Sequence, residues 1–152
     1  MRRGHRLDGG SRYPVAPLAC PCVLRVAVAF GEQAGVVVGQ PKEDRMAFDA
    51  LEVSIKLAQA LREPLGRLAQ RDRDLENQAR RAASGIALQV SEARRRVGRD
   101  RLHLWRVAAG SADELATALR LAEAWGYLDA DALADARALL DRVQAMLWKL
   151  TH

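Results

Sequence analysis

Apolar residues recur at alternating steps of three and four between residues 46 and 152, which places them on one face of an α-helix. The first such segment is predicted to run from Asp49 to Gln70. Its inward face consists of Leu51, Ile55, Ala58, Leu61, Leu65 and Leu68. Pro64 lies inside this segment. Because proline lacks a backbone N–H and crowds the preceding turn, we expect a kink or a break near Arg62.

Three further segments repeat this spacing. Each is predicted to begin at an aspartate, a residue that favours helix N-termini, and the first two end at a glycine. The predicted bounds are Asp72 or Asp74 to Gly98, Asp100 to Gly126, and Asp129 or Asp131 to the end of the chain. The inward faces are Leu75, Ala79, Ala82, Ile86, Val90 and Ala93 in the second helix, Leu104, Trp105, Ala108, Ala112, Leu115, Leu119 and Ala122 in the third, and Leu133, Ala136, Leu140, Val143, Leu147 and Leu150 in the fourth.

These segments predict an all-α fold in which residues 46–152 form an antiparallel, up-down-up-down four-helix bundle. Short connections force sequential helices to run in opposite directions. Small residues, among them Gly85 and Gly110, allow the second and third helices to approach closely, so we expect them to form the tightest pair. Gly110→Leu should then destabilise the bundle strongly. Leu88 falls outside the inward face of the second helix, which makes it a candidate subunit contact.

Residues 1–45 have a different composition, with four of the five prolines and six of the eleven glycines. We expect a poorly structured tail, either disordered or upstream of a true translation start at Met46. Cys20 and Cys22 have no second Cys or His cluster that would complete a zinc site. The apolar stretch from Val23 to Val38 is interrupted by polar residues, so no secretory signal or membrane span is predicted. The expected location is the cytoplasm.

Local clustering of charge is more informative than the net charge of +5, of which residues 1–45 contribute three and the bundle two. Six arginines surround the connection between the second and third helices, and two more lie earlier on the second helix. The candidate nucleic-acid-binding residues are Arg80, Arg81, Arg94, Arg95, Arg96, Arg99, Arg101 and Arg106. Guanidinium groups at this density attract phosphates in a salt-dependent manner. The alternative interpretation is a solvated turn with surface ion pairs.

No pattern predicts a cofactor or a metal site. Asp100 and His103 have the spacing of one di-iron ligand pair, but the other helices supply no matching motif. Arg96 and His103 have the spacing seen in some helical-bundle ribonucleases, which leaves phosphodiester cleavage as a minor alternative. An ordinary exposed histidine is the favoured interpretation of His103, and a non-enzymatic protein is expected.

Four aromatic residues follow the helical periodicity and are therefore predicted to pack in the core and at the bundle ends instead of stacking on bases. They are Trp105, Trp125, Tyr127 and Trp148. Glu92 and Glu114 are predicted to form polar contacts with neighbouring arginines.

Residues 78–92 read QARRAASGIALQVSE, residues 107–115 read VAAGSADEL, and residues 125–128 read WGYL. These blocks resemble the signatures QxRRAAxSIPxNIAEG, IAxGSxxEL and xGYL of the four-helix-bundle proteins first known from intervening sequences of 23S rRNA genes. The likeness runs from about Phe48 to Thr151. The sequence departs from the first signature where the family has Ser, Pro, Asn and Gly. The residues at these positions are Gly85, Ala87, Gln89 and Ala93.

The resemblance implies a compact bundle that assembles into a homo-oligomeric ring, often a pentamer, with no established enzymatic activity. A related branch accompanies the reverse transcriptases of diversity-generating retroelements and binds nucleic acid through a basic surface. By resemblance, we expect a non-catalytic oligomer that binds RNA or DNA near the arginine-rich junction. The alternative is a protein adaptor in which these arginines are merely exposed to solvent.

Overall fold

The computed structural model describes residues 42–152, apart from the side chain of Glu43, and these residues form five α-helices. The helices are α1 (Lys42–Ala60), α2 (Arg62–Leu68), α3 (Arg73–Ala93), α4 (Gly98–Ala124) and α5 (Ala130–Thr151). The all-α prediction is confirmed. Residues 1–41 of the expected tail, which include Cys20 and Cys22, lie outside the described residues, whereas its last four residues, 42–45, are helical and belong to α1. No helix between residues 42 and 152 is long and apolar enough to span a membrane.

The first predicted helix is divided at Leu61, as Pro64 led us to expect. Pro64 lies in the first turn of α2, where backbone N–H groups have no intrahelical partner, so its missing N–H removes no helical hydrogen bond. The Leu65 N–H donates to the Leu61 carbonyl at 2.9 Å, which joins the two helices directly. Together α1 and α2 therefore take the place of one bundle helix. The beginning of α1 at Lys42 differs from the predicted start at Asp49.

Two of the predicted helix boundaries are confirmed by their hydrogen bonds. The Asp72 side chain accepts from the Leu75 N–H at 2.9 Å and caps α3. At the end of α4, Gly126 has a φ of 70°, and the Tyr127 N–H donates to the Ala122 carbonyl at 2.8 Å. This left-handed glycine lets the chain leave the helix while a late carbonyl stays bonded.

The boundary predicted at Gly98 is wrong. Helix α3 ends at Ala93, and Gly98 is instead the first residue of α4. Val97 is extended, and Gly98 has a φ of 59°, a conformation that costs little only for glycine. These two residues reverse the chain between α3 and α4.

Sequential helices run antiparallel around one core, with α1 next to α3 and α5, and with α4 next to the same two helices. Asp44 near the start of α1 is bonded to Arg101 near the start of α4, so both helices begin at the same end of the bundle. The Gln144 amide donates to Asp113 at 2.9 Å and fixes the register between α5 and α4. The predicted inward faces of α3, α4 and α5 are buried, except that Leu104 is half-buried.

The inward face predicted for the first helix is partly wrong. Ile55 and Ala58 are exposed, whereas Val53 and Leu57 are buried. The inward face also contains Ser54, whose hydroxyl is buried and donates to the Ala50 carbonyl at 2.7 Å. The predicted face was therefore offset by one position from the buried one at these residues, since Ser54 is polar and Ile55 beside it is apolar.

Helices α3 and α4 form the most extensive contact of any helix pair, as predicted. Gly85 lies at this contact, because a Cβ there would be 3.1 Å from the Ser111 hydroxyl oxygen. Ser111 in turn donates to the Gln89 amide oxygen at 3.1 Å. Gly110 plays no part, since it is exposed and a Cβ there would meet no atom within 4 Å. The close approach predicted for Gly110, and with it the reason to expect damage from Gly110→Leu, is therefore wrong.

Candidate nucleic-acid interface

Positive charge is concentrated at the end of the bundle where α1 and α4 begin and α3 and α5 end. We call this the basic end and define it as residues 42–49, 91–106 and 146–152, which contain nine Lys or Arg and five Asp or Glu residues. The opposite end, residues 60–76 and 118–137, contains six Lys or Arg and eight Asp or Glu residues. An anionic partner is therefore attracted to one end of the bundle.

The eight arginines predicted from the sequence do not form one cluster. Six of them lie at the basic end. Arg80 and Arg81 lie farther along α3, and Arg81 is fourteen residues before Arg95, or about 21 Å along the helix axis. A ligand must therefore be extended to contact both groups.

Three of the eight arginines are neutralised by carboxylates. Arg80 bonds Glu76 at 2.5 Å, and Arg96 bonds Glu92 at 2.8 Å, each one helical turn away. The third is Arg101, which bonds Asp44. The predicted contact of Glu92 with an arginine is confirmed, whereas Glu114 forms no ion pair with any of residues 42–152.

Arg101 joins the starts of α1 and α4 instead of facing solvent. Its guanidinium bonds Asp44 and lies 5.0 Å from the ring centroid of Trp105, and its side chain is only 18% exposed. Trp105 is buried in a small second core with Ala47, Ala93 and Leu150. Arg101 therefore contributes to the packing of the basic end and is poorly placed to contact a phosphate.

The remaining arginines of the basic end are exposed. Arg94 lies over the Phe48 ring at 5.2 Å, and together with Arg95 and Ser91 it lines a shallow concavity that also includes Asp44. Of the six sequence-predicted arginines at this end, three are exposed and form neither an ion pair nor a contact with an aromatic ring in the described part of the chain. They are Arg95, Arg99 and Arg106.

The prediction that the aromatic residues pack in the core and at the bundle ends is confirmed for Trp105, which is buried, and for Trp125, which packs at a bundle end, whereas Trp148 is largely exposed. Trp125 is 54% exposed at the opposite end, where its ring contacts Tyr127 edge to face at 5.6 Å. Trp148 is 62% exposed on α5 near the basic end, and its ring is stacked on His152. The periodicity could not separate these positions, because Trp148 directly follows the buried Leu147.

The family model of the 23S rRNA-intervening sequence protein matches residues 47–149, which span the bundle from α1 almost to the end of α5. The chain belongs to this family. A search of curated proteins finds no match to the chain. Two of the signature blocks singled out in the sequence, residues 78–92 and 107–115, lie on α3 and α4 within the matched range.

In this 23S rRNA-intervening sequence protein, the residues considered for chemistry do not form a recognisable catalytic group. His103 is exposed on α4, and the guanidinium of Arg96 is bonded to Glu92. Within residues 42–152, no three His, Cys, Asp or Glu side chains converge as metal ligands do. The sequence spacing of Arg96 and His103 is therefore the sole argument for cleavage.

The opposite end of the bundle contains an ion pair between two helices. Arg137 on α5 bonds both carboxylate oxygens of Glu123 on α4, one of them at 3.4 Å. The hydrogen bonds from Arg137 lower the pKa of Glu123, and the same bonds raise the pKa of Arg137. This pair connects α4 to α5 at an end where acidic residues outnumber basic ones.

A second, apolar surface lies between α1, α2 and α3. Ile55 and Ala58, the two residues wrongly predicted to be buried, line a groove with Leu65 and Ala83. Leu88 is 69% exposed on the outer face of α3. Both features offer apolar area to another protein chain.

Proposed function

We propose that this 23S rRNA-intervening sequence protein is a non-catalytic homo-oligomer that binds RNA or DNA through its basic end. The observation that carries the proposal is the surplus of basic residues at this end, nine against five acidic ones, among which Arg95, Arg99 and Arg106 are exposed without carboxylate partners in the described part of the chain. Guanidinium groups bind phosphate oxygens in a bidentate manner, and binding releases counterions from the nucleic acid. Arg94, held over Phe48, extends this surface towards α1.

Charge reversal at the two ends tests the proposal. The variant Arg95→Glu/Arg99→Glu/Arg106→Glu changes the basic end, and Arg71→Glu/Arg73→Glu/Arg120→Glu makes the same change in charge at exposed positions of the opposite end. Fluorescence anisotropy with labelled RNA and DNA at several salt concentrations gives the affinity and its salt dependence. Losing three phosphate contacts should reduce the slope of log K against log salt by about 2.

The control triple should retain most of the wild-type slope, because only the net charge is altered and not the binding surface. Equal loss in both triples would mean that net charge alone attracts the nucleic acid. Absence of binding by the wild type at low salt would reject the proposal.

We infer that the oligomer contact involves the outer face of α3 around Leu88, with a pentamer as the assembly expected from the family resemblance. A leucine that is 69% exposed in the middle of a helix adds apolar area that a second copy of the chain can bury. Leu88→Gln should lower the mass measured by light scattering. Leu121→Gln, at a less exposed leucine on α4, is the control.

A protein adaptor is the second candidate, favoured by the groove of Ile55, Ala58, Leu65 and Ala83. In that case the Arg95/Arg99/Arg106 triple would leave partner binding unchanged, whereas Ile55→Gln would weaken it. Ribonuclease activity is a third candidate, and a cleavage assay tests it separately. Cleavage products would have to appear with the wild type and vanish with His103→Ala.

A further inference from the structure

Trp148 is a large aromatic side chain that the bundle does not bury. It is 62% exposed, although the neighbouring Leu147 and Leu150 are buried in the core. A tryptophan offers more flat apolar surface than any other residue, and every nucleobase has a face that can stack on it. Its exposure therefore raises the question of what lies beside it.

The register of α4 and α5 places Trp148 on the same face of the bundle as Arg106. Gln144 and Asp113 are hydrogen-bonded, and Trp148 lies one turn after Gln144 on the side of α5 that faces α4. Arg106 and Arg99 precede Asp113 by seven and fourteen residues, which returns them to the face of α4 that Asp113 occupies.

The distances along the helix axes bring these groups within reach of one strand. Because α4 and α5 are antiparallel, Trp148 is level with Ala109, four residues before Asp113. Arg106 then lies about 5 Å and Arg99 about 15 Å farther along the axis, towards the turn between α3 and α4. Both arginines are exposed. An aromatic face is thus followed by two guanidinium groups in a line.

The indole of Trp148 already accepts a flat ring. The imidazole of His152 is stacked on it with 4.9 Å between centroids and 16° between planes. A nucleobase can replace this imidazole or extend the stack. Trp125 is also exposed, at 54%, but it lies at the opposite end, where acidic residues outnumber basic ones. Its ring contacts Tyr127 edge to face.

We propose that Trp148 is a stacking platform for an unpaired base of single-stranded nucleic acid whose phosphates are bound by Arg106 and Arg99. The inference rests on the proposed function and adds the class of ligand. Bases inside a duplex are already stacked on one another and do not present their faces, whereas single strands are bound by combining stacking with a basic track. The protein should therefore prefer single strands to duplexes.

The test compares Trp148→Leu with the matched control Trp125→Leu in the full chain. Binding of labelled oligouridine and oligodeoxythymidine, each about 12 nucleotides long, and of a duplex of the same length is measured by fluorescence anisotropy at low salt. Trp148→Leu should weaken binding of one or both single strands about fivefold or more and leave duplex binding unchanged. Trp148→Phe should restore most of the loss, since a smaller aromatic ring still stacks.

The outcomes separate the inference from the proposed function. The stacking platform is rejected if Trp148→Leu leaves the affinity for both single strands unchanged, or if it weakens binding of single strands and duplex equally. It is also rejected if Trp125→Leu weakens single-strand binding as much. In each case the Arg95/Arg99/Arg106 triple still tests binding at the basic end. If the wild type binds no nucleic acid, both proposals fail. Light scattering on each variant tests whether Trp148 is instead a contact between subunits. A lower mass for Trp148→Leu would identify it as such a contact and reject the platform.

Discussion

The basic end and the opposite end of the bundle are built alike and charged differently. Each contains a turn whose glycine has a positive φ, Gly98 at one end and Gly126 at the other, and each end includes an exposed tryptophan. Yet the basic end contains nine Lys or Arg and five acidic residues, whereas the opposite end contains six Lys or Arg and eight acidic residues. The backbone fold does not require this asymmetry, because both ends reverse the chain in similar ways.

The difference shows which arginines are used for structure and which remain available. At the opposite end Arg137 is bonded to Glu123, and at the basic end Arg101 is bonded to Asp44 and covered by Trp105. The basic end differs because it also has arginines in excess of its carboxylates. An excess of charge repels itself in the folded state, so a binding role is a physical reason for keeping it.

The largest expected effect concerns the packing beneath the basic end. Trp105→Ala removes a buried indole from the small core of Ala47, Ala93 and Leu150, and should lower the free energy of unfolding by about 3–5 kcal/mol. Trp125→Ala at the opposite end should lower it by only about 1 kcal/mol, because that indole is already 54% exposed and loses mainly its edge-to-face contact with Tyr127. Urea denaturation measures both. Similar losses in the two variants would contradict the contrast drawn between the ends.

A smaller loss is expected from Asp44→Ala. Without Asp44, the guanidinium of Arg101 stays mostly buried and loses its carboxylate, which should cost about 2 kcal/mol. Glu92→Ala removes the carboxylate of an exposed pair with Arg96 and should cost less than about 1 kcal/mol. The melting temperatures of the two variants, measured by thermal denaturation, show whether Asp44 holds the start of α1 to α4. Equal melting temperatures would show that it does not.

The sequence was sufficient to predict the core of α3, α4 and α5, because leucine and alanine recur there with unbroken helical spacing. It also predicted the break before Pro64, the Asp72 cap and the Gly126 helix end, since each depends on residues a few positions apart. On α1 the same method selected Ile55 and Ala58, which each lie one position after the buried Ser54 and Leu57, because the spacing of apolar residues there also fits a face rotated by one residue.

The site was less predictable because it depends on contacts between distant parts of the chain. Nothing local to Arg101 reveals that Asp44, fifty-seven residues earlier, neutralises it. The exposure of Trp148 is consistent with its position outside the predicted inward face of α5, but its relation to Arg106 and Arg99 depends on the register between α5 and α4. A run of arginines in sequence thus identified the end of the bundle where basic residues are in surplus, without separating Arg101, which is bonded to Asp44, from the exposed arginines.

The two turn glycines should respond alike, which tests whether the ends share their backbone design. Gly98→Ala and Gly126→Ala each force a side chain into the left-handed region and should cost about 1 kcal/mol. Gly110→Ala is the control, because Gly110 lies inside α4 and the added Cβ would enter open space. This variant should be more stable than the wild type by up to about 1 kcal/mol. Chemical denaturation compares the three. A much larger loss for one turn glycine would show that its end is held by more than backbone conformation.

The smallest effect is a dependence on pH at the opposite end. The hydrogen bonds from Arg137 hold the pKa of Glu123 below its ordinary value of 4.5, so the carboxyl binds protons more tightly in the unfolded chain than in the folded one. Its contribution to stability is therefore complete above about pH 4.5 and is lost as the pH falls through the lower folded-state pKa.

Glu123→Gln should consequently be less stable than the wild type at neutral pH, and the difference should shrink as the solution is acidified below the folded-state pKa of Glu123. Urea denaturation across the acidic range measures this difference. Glu114→Gln is the control, since Glu114 is exposed and forms no ion pair with residues 42–152. A Glu123→Gln difference that stays constant with pH would mean that the contact between α4 and α5 depends on the shape of the side chain and not on its charge.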